Sequence, residues 1–168
     1  GYDFLGWSDG KSLYKDSYTV STSAVQFVAE WKAKSYTVTF IVNDGTNNQY
    51  TQSFEFDKQE ALTDFTGSRE GYGFLGWSTI KNGEVEYEDG DNYVTPAEDV
   101  TLYGVWQIQS YELSIDLNGG SLETNPAGNY DYNASISLSA PTKEGHTFLG
   151  WYEGNNLYNG TTMPARDV

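Results

Sequence analysis

A mostly β fold of the α+β class, built as a tandem array of small modules, is what the sequence predicts, and three observations predict it. The stretch Gly1-Tyr2-Asp3-Phe4-Leu5-Gly6-Trp7 returns as Gly71-Tyr72-Gly73-Phe74-Leu75-Gly76-Trp77 and as Gly145-His146-Thr147-Phe148-Leu149-Gly150-Trp151, with starts 70 and then 74 residues apart. A second marker, Ala24-Val25-Gln26-Phe27-Val28-Ala29-Glu30-Trp31, matches Asp99-Val100-Thr101-Leu102-Tyr103-Gly104-Val105-Trp106 at a spacing of 75. Between the markers apolar residues alternate with polar ones, the period of half-buried strands. Self-similarity at a fixed spacing is the signature of repeated structural units. The spacing divides the chain into the C-terminal half of a repeat (1–33), one complete repeat (34–107) and a repeat lacking its final strand (108–168).

In residues 1–33, Asp9-Gly10 after Trp7 is a two-residue hairpin signal, and Leu13-Tyr14 begins the returning strand. Val25, Phe27, Ala29 and Trp31 then form one mainly apolar face of a strand. In the complete repeat, Tyr36, Val38, Phe40 and Val42 alternate with Thr37, Thr39 and Ile41, and Asn43-Asp44-Gly45 turns the chain. Tyr50, Phe54 and Phe56 alternate with Thr51, Ser53 and Glu55, so these two strands make an antiparallel hairpin. Asp57 and Glu60 stand at capping-box spacing before Ala61, Leu62 and Phe65, which predicts about two turns of helix. After the heptad come a turn at Asn82-Gly83, a strand at Val85-Glu86-Tyr87, a break at Asp89-Gly90 and the closing strand Val100–Trp106. In 108–168, Tyr111, Leu113, Ile115 and Leu117 make an amphipathic strand, Asn118-Gly119-Gly120 turns it, and Ile136 and Leu138 mark another. The last repeat is expected to be frayed or completed by another chain segment, because Asp167-Val168 aligns with Asp99-Val100. The connections 32–35 and 107–110 are too short for flexible linkers, so neighbouring modules are expected to sit close, as in a rod.

Modules this small are near the lower limit for a self-sufficient core. The 14 Tyr, 8 Phe and 5 Trp offset this through the area each ring can bury. With 24 acidic against 9 basic residues, the net charge of −15 argues against a nucleic-acid partner and disfavours anionic lipid. The chain has no cysteine, which removes disulfides, thiolate nucleophiles and cysteine metal sites. No window approaches the ~18 apolar residues of a membrane span. No signal-peptide pattern opens the chain, which at Gly1 reads as mid-repeat in a longer array.

These residues resemble a known family. Pro141-Thr142-Lys143-Glu144-Gly145-His146-Thr147-Phe148-Leu149-Gly150-Trp151-Tyr152 and Asp99-Val100-Thr101-Leu102-Tyr103-Gly104-Val105-Trp106 are similar to the Listeria–Bacteroides repeat, the B-repeat of internalin-type bacterial surface proteins. His146 stands where Tyr is usual, and Asp44 where the first Gly of an Asn-Gly-Gly turn is usual. The resemblance implies a β-grasp-like, ubiquitin-like module carried in tandem on secreted or cell-surface bacterial proteins, and a family without shared active-site residues.

Trp7, Trp77 and Trp151 are the candidate ligand-binding residues, a stacking platform for sugars repeated along the array. The competing reading places them in the core with Trp31 and Trp106, because a module of this size needs its largest rings inside. Glu84, Glu86, Glu88, Asp89 and Asp91 surround a Gly turn with oxygen ligands of the kind calcium prefers. The spacing lacks a full calcium loop, and a solvated turn is the preferred reading. His146 alone makes neither a metal site nor a triad, and neither a Gly-x-Ser-x-Gly elbow nor a phosphate loop occurs. No catalytic residue, cofactor or metal is therefore assigned. The expected role is that of a stalk presenting a distal domain. The alternative is an adhesive module that binds a host-surface protein or a glycan.

Overall fold

The computed structural model describes residues 1–20 and 23–168. Its strands are β1 (Tyr2–Ser8), β2 (Leu13–Tyr14), β3 (Val28–Ala33), β4 (Ser35–Ile41), β5 (Gln49–Glu55), β6 (Gln59–Ala61), β7 (Tyr72–Ser78), β8 (Asn92–Val94), β9 (Val100–Ile108), β10 (Ser110–Leu113), β11 (Gly128–Asp131), β12 (Tyr152–Glu153) and β13 (Asn156–Leu157). Among the described residues the fold is all-β, in several small sheets. Two compact units divide it, one of Gly1–Thr66 with Leu75–Val105 and one of Gly67–Phe74 with Trp106–Val168.

In the first unit, β1 pairs antiparallel with β2 and β3 in the order β2-β1-β3. A four-stranded sheet has the order β5-β4-β9-β7. Its β4 and β5 are antiparallel, with Phe40 opposite Tyr50, while β4 and β9 run parallel, with Phe40 opposite Leu102. The alternation read from the sequence is the alternation of burial: Val38, Phe40 and Val42 point inward, each at most 3% exposed. Phe54, Leu62, Trp77, Tyr93 and Leu102 complete this core. Each such side chain contributes about 1.5–3 kcal/mol by leaving water. Phe40 stacks on Tyr50 at 4.5 Å and meets Trp77 edge-on at 4.9 Å, so the core is an aromatic assembly joined by its neighbours' aliphatic chains.

The helix expected after Asp57 does not form, and the α+β expectation is corrected to all-β. Asp57 has φ 64, a left-handed conformation, whereas an N-cap needs a β-region backbone. Gln59–Ala61 instead forms β6, paired antiparallel with β8 through Gln59 opposite Val94. Leu62 N–H donates to the Asp91 carbonyl at 2.8 Å, which carries the pairing past the strand. The Gln52 side chain fixes the same segment: its Nε2 donates to the Ala61 carbonyl at 2.8 Å and its Oε1 accepts from Thr63 N–H at 2.9 Å. A long-range ribbon has taken residues that local spacing assigned to a helix.

Three boundaries also differ. The first hairpin turns over Asp9–Ser12 rather than two residues, because Ser8 pairs with Leu13 and the Asp9 carboxylate accepts from the Lys11 and Ser12 amides. The strand read from Val25 begins at Val28, and the strand read through Leu117 ends at Leu113.

In the second unit, β10 pairs antiparallel with β11 and β12 with β13. Leu113, Ile136 and Met163 form its buried centre, packed by Tyr111, Ile115, Tyr130, Leu138, Tyr158 and Val168. Val168 N–H donates to the Glu112 carbonyl and its own carbonyl accepts from Ser114 N–H, at 2.9 and 2.7 Å.

Candidate functional site

The candidate site is the heptad, whose penultimate glycine keeps one conformation in all three copies; the first two copies lie in β1 and β7, and residues 145–150 lie outside any strand. Gly6, Gly76 and Gly150 have φ of 146, 143 and 142°, a region side chains rarely enter. A Cβ on Gly76 would stand 2.4 Å from the Tyr87 carbonyl oxygen, and one on Gly6 2.6 Å from that of Tyr14. Glycine there lets a neighbouring strand approach the backbone. In β1 the pairing slips between Phe4 and Gly6, a β-bulge that re-aims the following tryptophan. That tryptophan pairs with a tyrosine on the next segment: Trp7 opposite Tyr14, Trp77 opposite Tyr87, and Trp151 accepting at its carbonyl from Tyr158 N–H at 2.8 Å. The phenylalanine meets the tryptophan of the closing marker edge-on, Phe4 with Trp31 and Phe74 with Trp106, both at 5.1 Å.

Backbone geometry therefore repeats, but exposure does not. Trp77 is fully buried, ringed by Phe40, Tyr50 and Phe65 at 4.9, 6.0 and 5.9 Å. Trp7 is 47% exposed and Trp151 half-buried. Trp31 is 56% exposed, whereas Trp106 is half-buried. β4 and β5, the strands that precede the heptad in the complete repeat, lay Phe40 and Tyr50 against Trp77. Phe4, Trp7 and Trp31 make an exposed aromatic group, with centroids 5.6 Å apart for Phe4–Trp7.

The acidic turn is occupied by internal bonds. Glu86 accepts from Ser78 Oγ at 3.1 Å and from Thr79 Oγ1 at 2.7 Å, and the Thr79 hydrogen bond, foremost, holds its carboxyl below the usual glutamate range. Both Asp89 oxygens lie 3.0 Å from the Phe65 N–H, and Asp91 accepts from Glu88 N–H at 2.7 Å. Among the described residues no group of three or more His, Cys, Asp and Glu is arranged to hold a metal ion. Burial, with the nearby Asp89 charge, pushes the Tyr50 phenol up to about 12. His146 donates from Nδ1 to the Glu144 carbonyl at 2.8 Å, since a carbonyl can only accept. Glu153 pairs with Arg166, which lowers the carboxyl and raises the guanidinium.

The Gln52 bracket and the Glu86 cap were not legible in the sequence, because a polar residue on a strand reads as surface until its partner is located. No helix among the described residues is long and apolar enough to cross a membrane.

Comparison with known proteins follows the same periodicity. The Listeria-Bacteroides repeat domain family matches residues 36–105 and again 111–168. A protein of Evansella cellulosilytica described as a Gly-rich membrane protein is 35% identical over 94% of this chain, and a second membrane protein of that organism is 33% identical over 91%. Internalin H of Listeria monocytogenes is 31% identical over 92% of the chain. The chain spans 20%, 23% and 28% of the lengths of these three relatives. No solved structure gives a significant match.

Proposed function

The chain belongs to the Listeria-Bacteroides repeat domain family, and from that premise we propose that it is a non-catalytic stalk segment of a bacterial cell-surface or secreted protein. Its tandem repeats space a distal domain from the cell envelope in a rod-like array. The junctions carry this reading. β3 ends at Ala33 and β4 begins at Ser35, while β9 ends at Ile108 and β10 begins at Ser110. One residue, Lys34 or Gln109, separates strands of successive repeats, which leaves no length for a flexible tether. The order β5-β4-β9-β7, with the first and last strands of the repeat parallel at its centre, supports a β-grasp-like module in which the β6–β8 ribbon occupies the place of the helix. The names of the relatives, a membrane protein and an internalin, support placement at the envelope. The net charge of −15 supports mutual repulsion of modules and weighs against nucleic acid as a partner.

The second reading is adhesion to a host-surface protein or glycan through the repeats themselves. One experiment separates the two. Repeats are deleted or duplicated in the parent protein, the reach of its distal domain from the cell is measured, and the isolated chain is screened against glycans and host-surface proteins. Reach that follows repeat number, without binding, supports the spacer. Saturable binding to any of them supports adhesion and refutes a purely spacing role.

A further inference from the structure

Outside the heptad's tryptophan end, a second construction occurs twice, at its opening glycine. In the first unit, Lys34 N–H donates to the Gly1 carbonyl at 2.8 Å, and Phe56 N–H donates to the Lys34 carbonyl at 2.8 Å. In the second unit, Gln109 N–H donates to the Gly71 carbonyl at 2.9 Å, and Tyr132 N–H donates to the Gln109 carbonyl at 2.8 Å. The aromatic ring then lies over the glycine. A Cβ on Gly1 would stand 2.1 Å from the Phe56 ring, and one on Gly71 2.0 Å from that of Tyr132. The heptad's second residue closes edge-on over the same ring, Tyr2 on Phe56 at 5.3 Å and Tyr72 on Tyr132 at 6.1 Å. Both rings occupy the same place, directly after a strand and before a left-handed residue, Asp57 with φ 64 and Asn133 with φ 63. In the first copy Tyr2 Oη also donates to Asp57 Oδ2 at 3.0 Å.

We propose that this is an interlock between consecutive repeats: the opening Gly-aromatic pair of one heptad receives the aromatic residue that ends the second strand of the next repeat. The single junction residue is hydrogen-bonded on both sides, and the ring occupies the volume any side chain would need. The seat therefore restrains the junction residue at both its N–H and its carbonyl. Gly145 keeps the conformation of Gly71, with φ 74 against 73, but has nothing within 4 Å of its Cβ position. It offers the same seat to the strand-end aromatic of a further repeat. The interlock is a property of the repeat and holds whether the array spaces or binds.

The chain contains no cysteine, so paired spin labels can be introduced into it intact. Exposed Lys11, Asn47, Ser68 and Glu123 are replaced by Cys in the pairs 11/47 and 68/123, each pair within one compact unit, and distance distributions are measured by pulsed electron spin resonance. Both are expected to be narrow. Phe56→Ala should broaden the 11/47 distribution about twofold and leave 68/123 unchanged. Tyr132→Ala should do the reverse, while Phe56→Tyr and Tyr132→Phe keep both narrow. Amide exchange in β4 and β10 should not change in any variant. Broad distributions in the parent chain, or alanine variants that leave them unchanged, would overturn the interlock. Loss of β4 or β10 protection alongside broadening would also overturn it, by making the rings core residues rather than joint residues.

Discussion

Replacing Trp77 by alanine tests the central claim that one heptad geometry serves different environments. Trp77 is at 0% exposure with aromatic rings on three sides. Truncation removes a fully desolvated indole and leaves a cavity the β4–β9 pair cannot close, a loss of about 3–5 kcal/mol. At 1.4 kcal/mol per tenfold, that is about two to three and a half powers of ten in the opening equilibrium. Trp7, already 47% exposed, loses only the transfer energy of its covered half and leaves no enclosed void, about 1–2 kcal/mol. Native-state hydrogen exchange on the intact chain reads this directly, because β4 and β9 amides report the opening of the sheet around Trp77. Trp77→Ala should cut their protection by the stated factor, and Trp7→Ala should leave them within tenfold of the parent. Equal effects, or less than a tenfold loss for Trp77→Ala, would refute the packing argument.

The Gln52→Ala variant removes a bracket of three hydrogen bonds between β5 and the segment after β6 and should destabilise the first unit by about 1–2 kcal/mol in urea unfolding; an unchanged midpoint would mean the ribbon holds itself. Glu86 has a folded pKa below the usual 4.5, so its contribution to stability is complete above that value and is lost as pH falls through the lower folded value. Acid unfolding of Glu86→Gln should therefore depend less steeply on pH than that of the parent, and identical profiles would contradict the Thr79 cap. Asp167 accepts from Glu112 N–H at 2.8 Å as Asp99 does from Thr37 N–H at 2.8 Å, so the two aspartates take equivalent places beside the first strand of their repeat. Extending the chain beyond Val168 with a copy of residues 101–106 should raise the melting temperature of the second unit and shield Trp151 from acrylamide; no change in either would show that the slot beside β10 does not accept the strand.

The sequence by itself determined the repeat and the leading strands of the complete one. The alternation through Val38, Phe40 and Val42 and the glycines ahead of Trp7, Trp77 and Trp151 are local properties, because pleat period and backbone approach act over a few residues. The false helix at 57–65 had the right local spacing, but β8, about thirty residues away, supplied a partner that spacing cannot display. Tryptophan exposure escaped the sequence for the same reason. Heptads that differ only at Asp3 and Gly73 leave Trp77 buried and Trp7 half in water, because burial depends on which strands lie across the ring. The seat at Gly71 needs Tyr132 brought over it, and the glycine alone announces only a turn. Tertiary structure decided these points, since covering, capping and seating are contacts between distant residues, whose energies come from surfaces that exist only once the chain has folded.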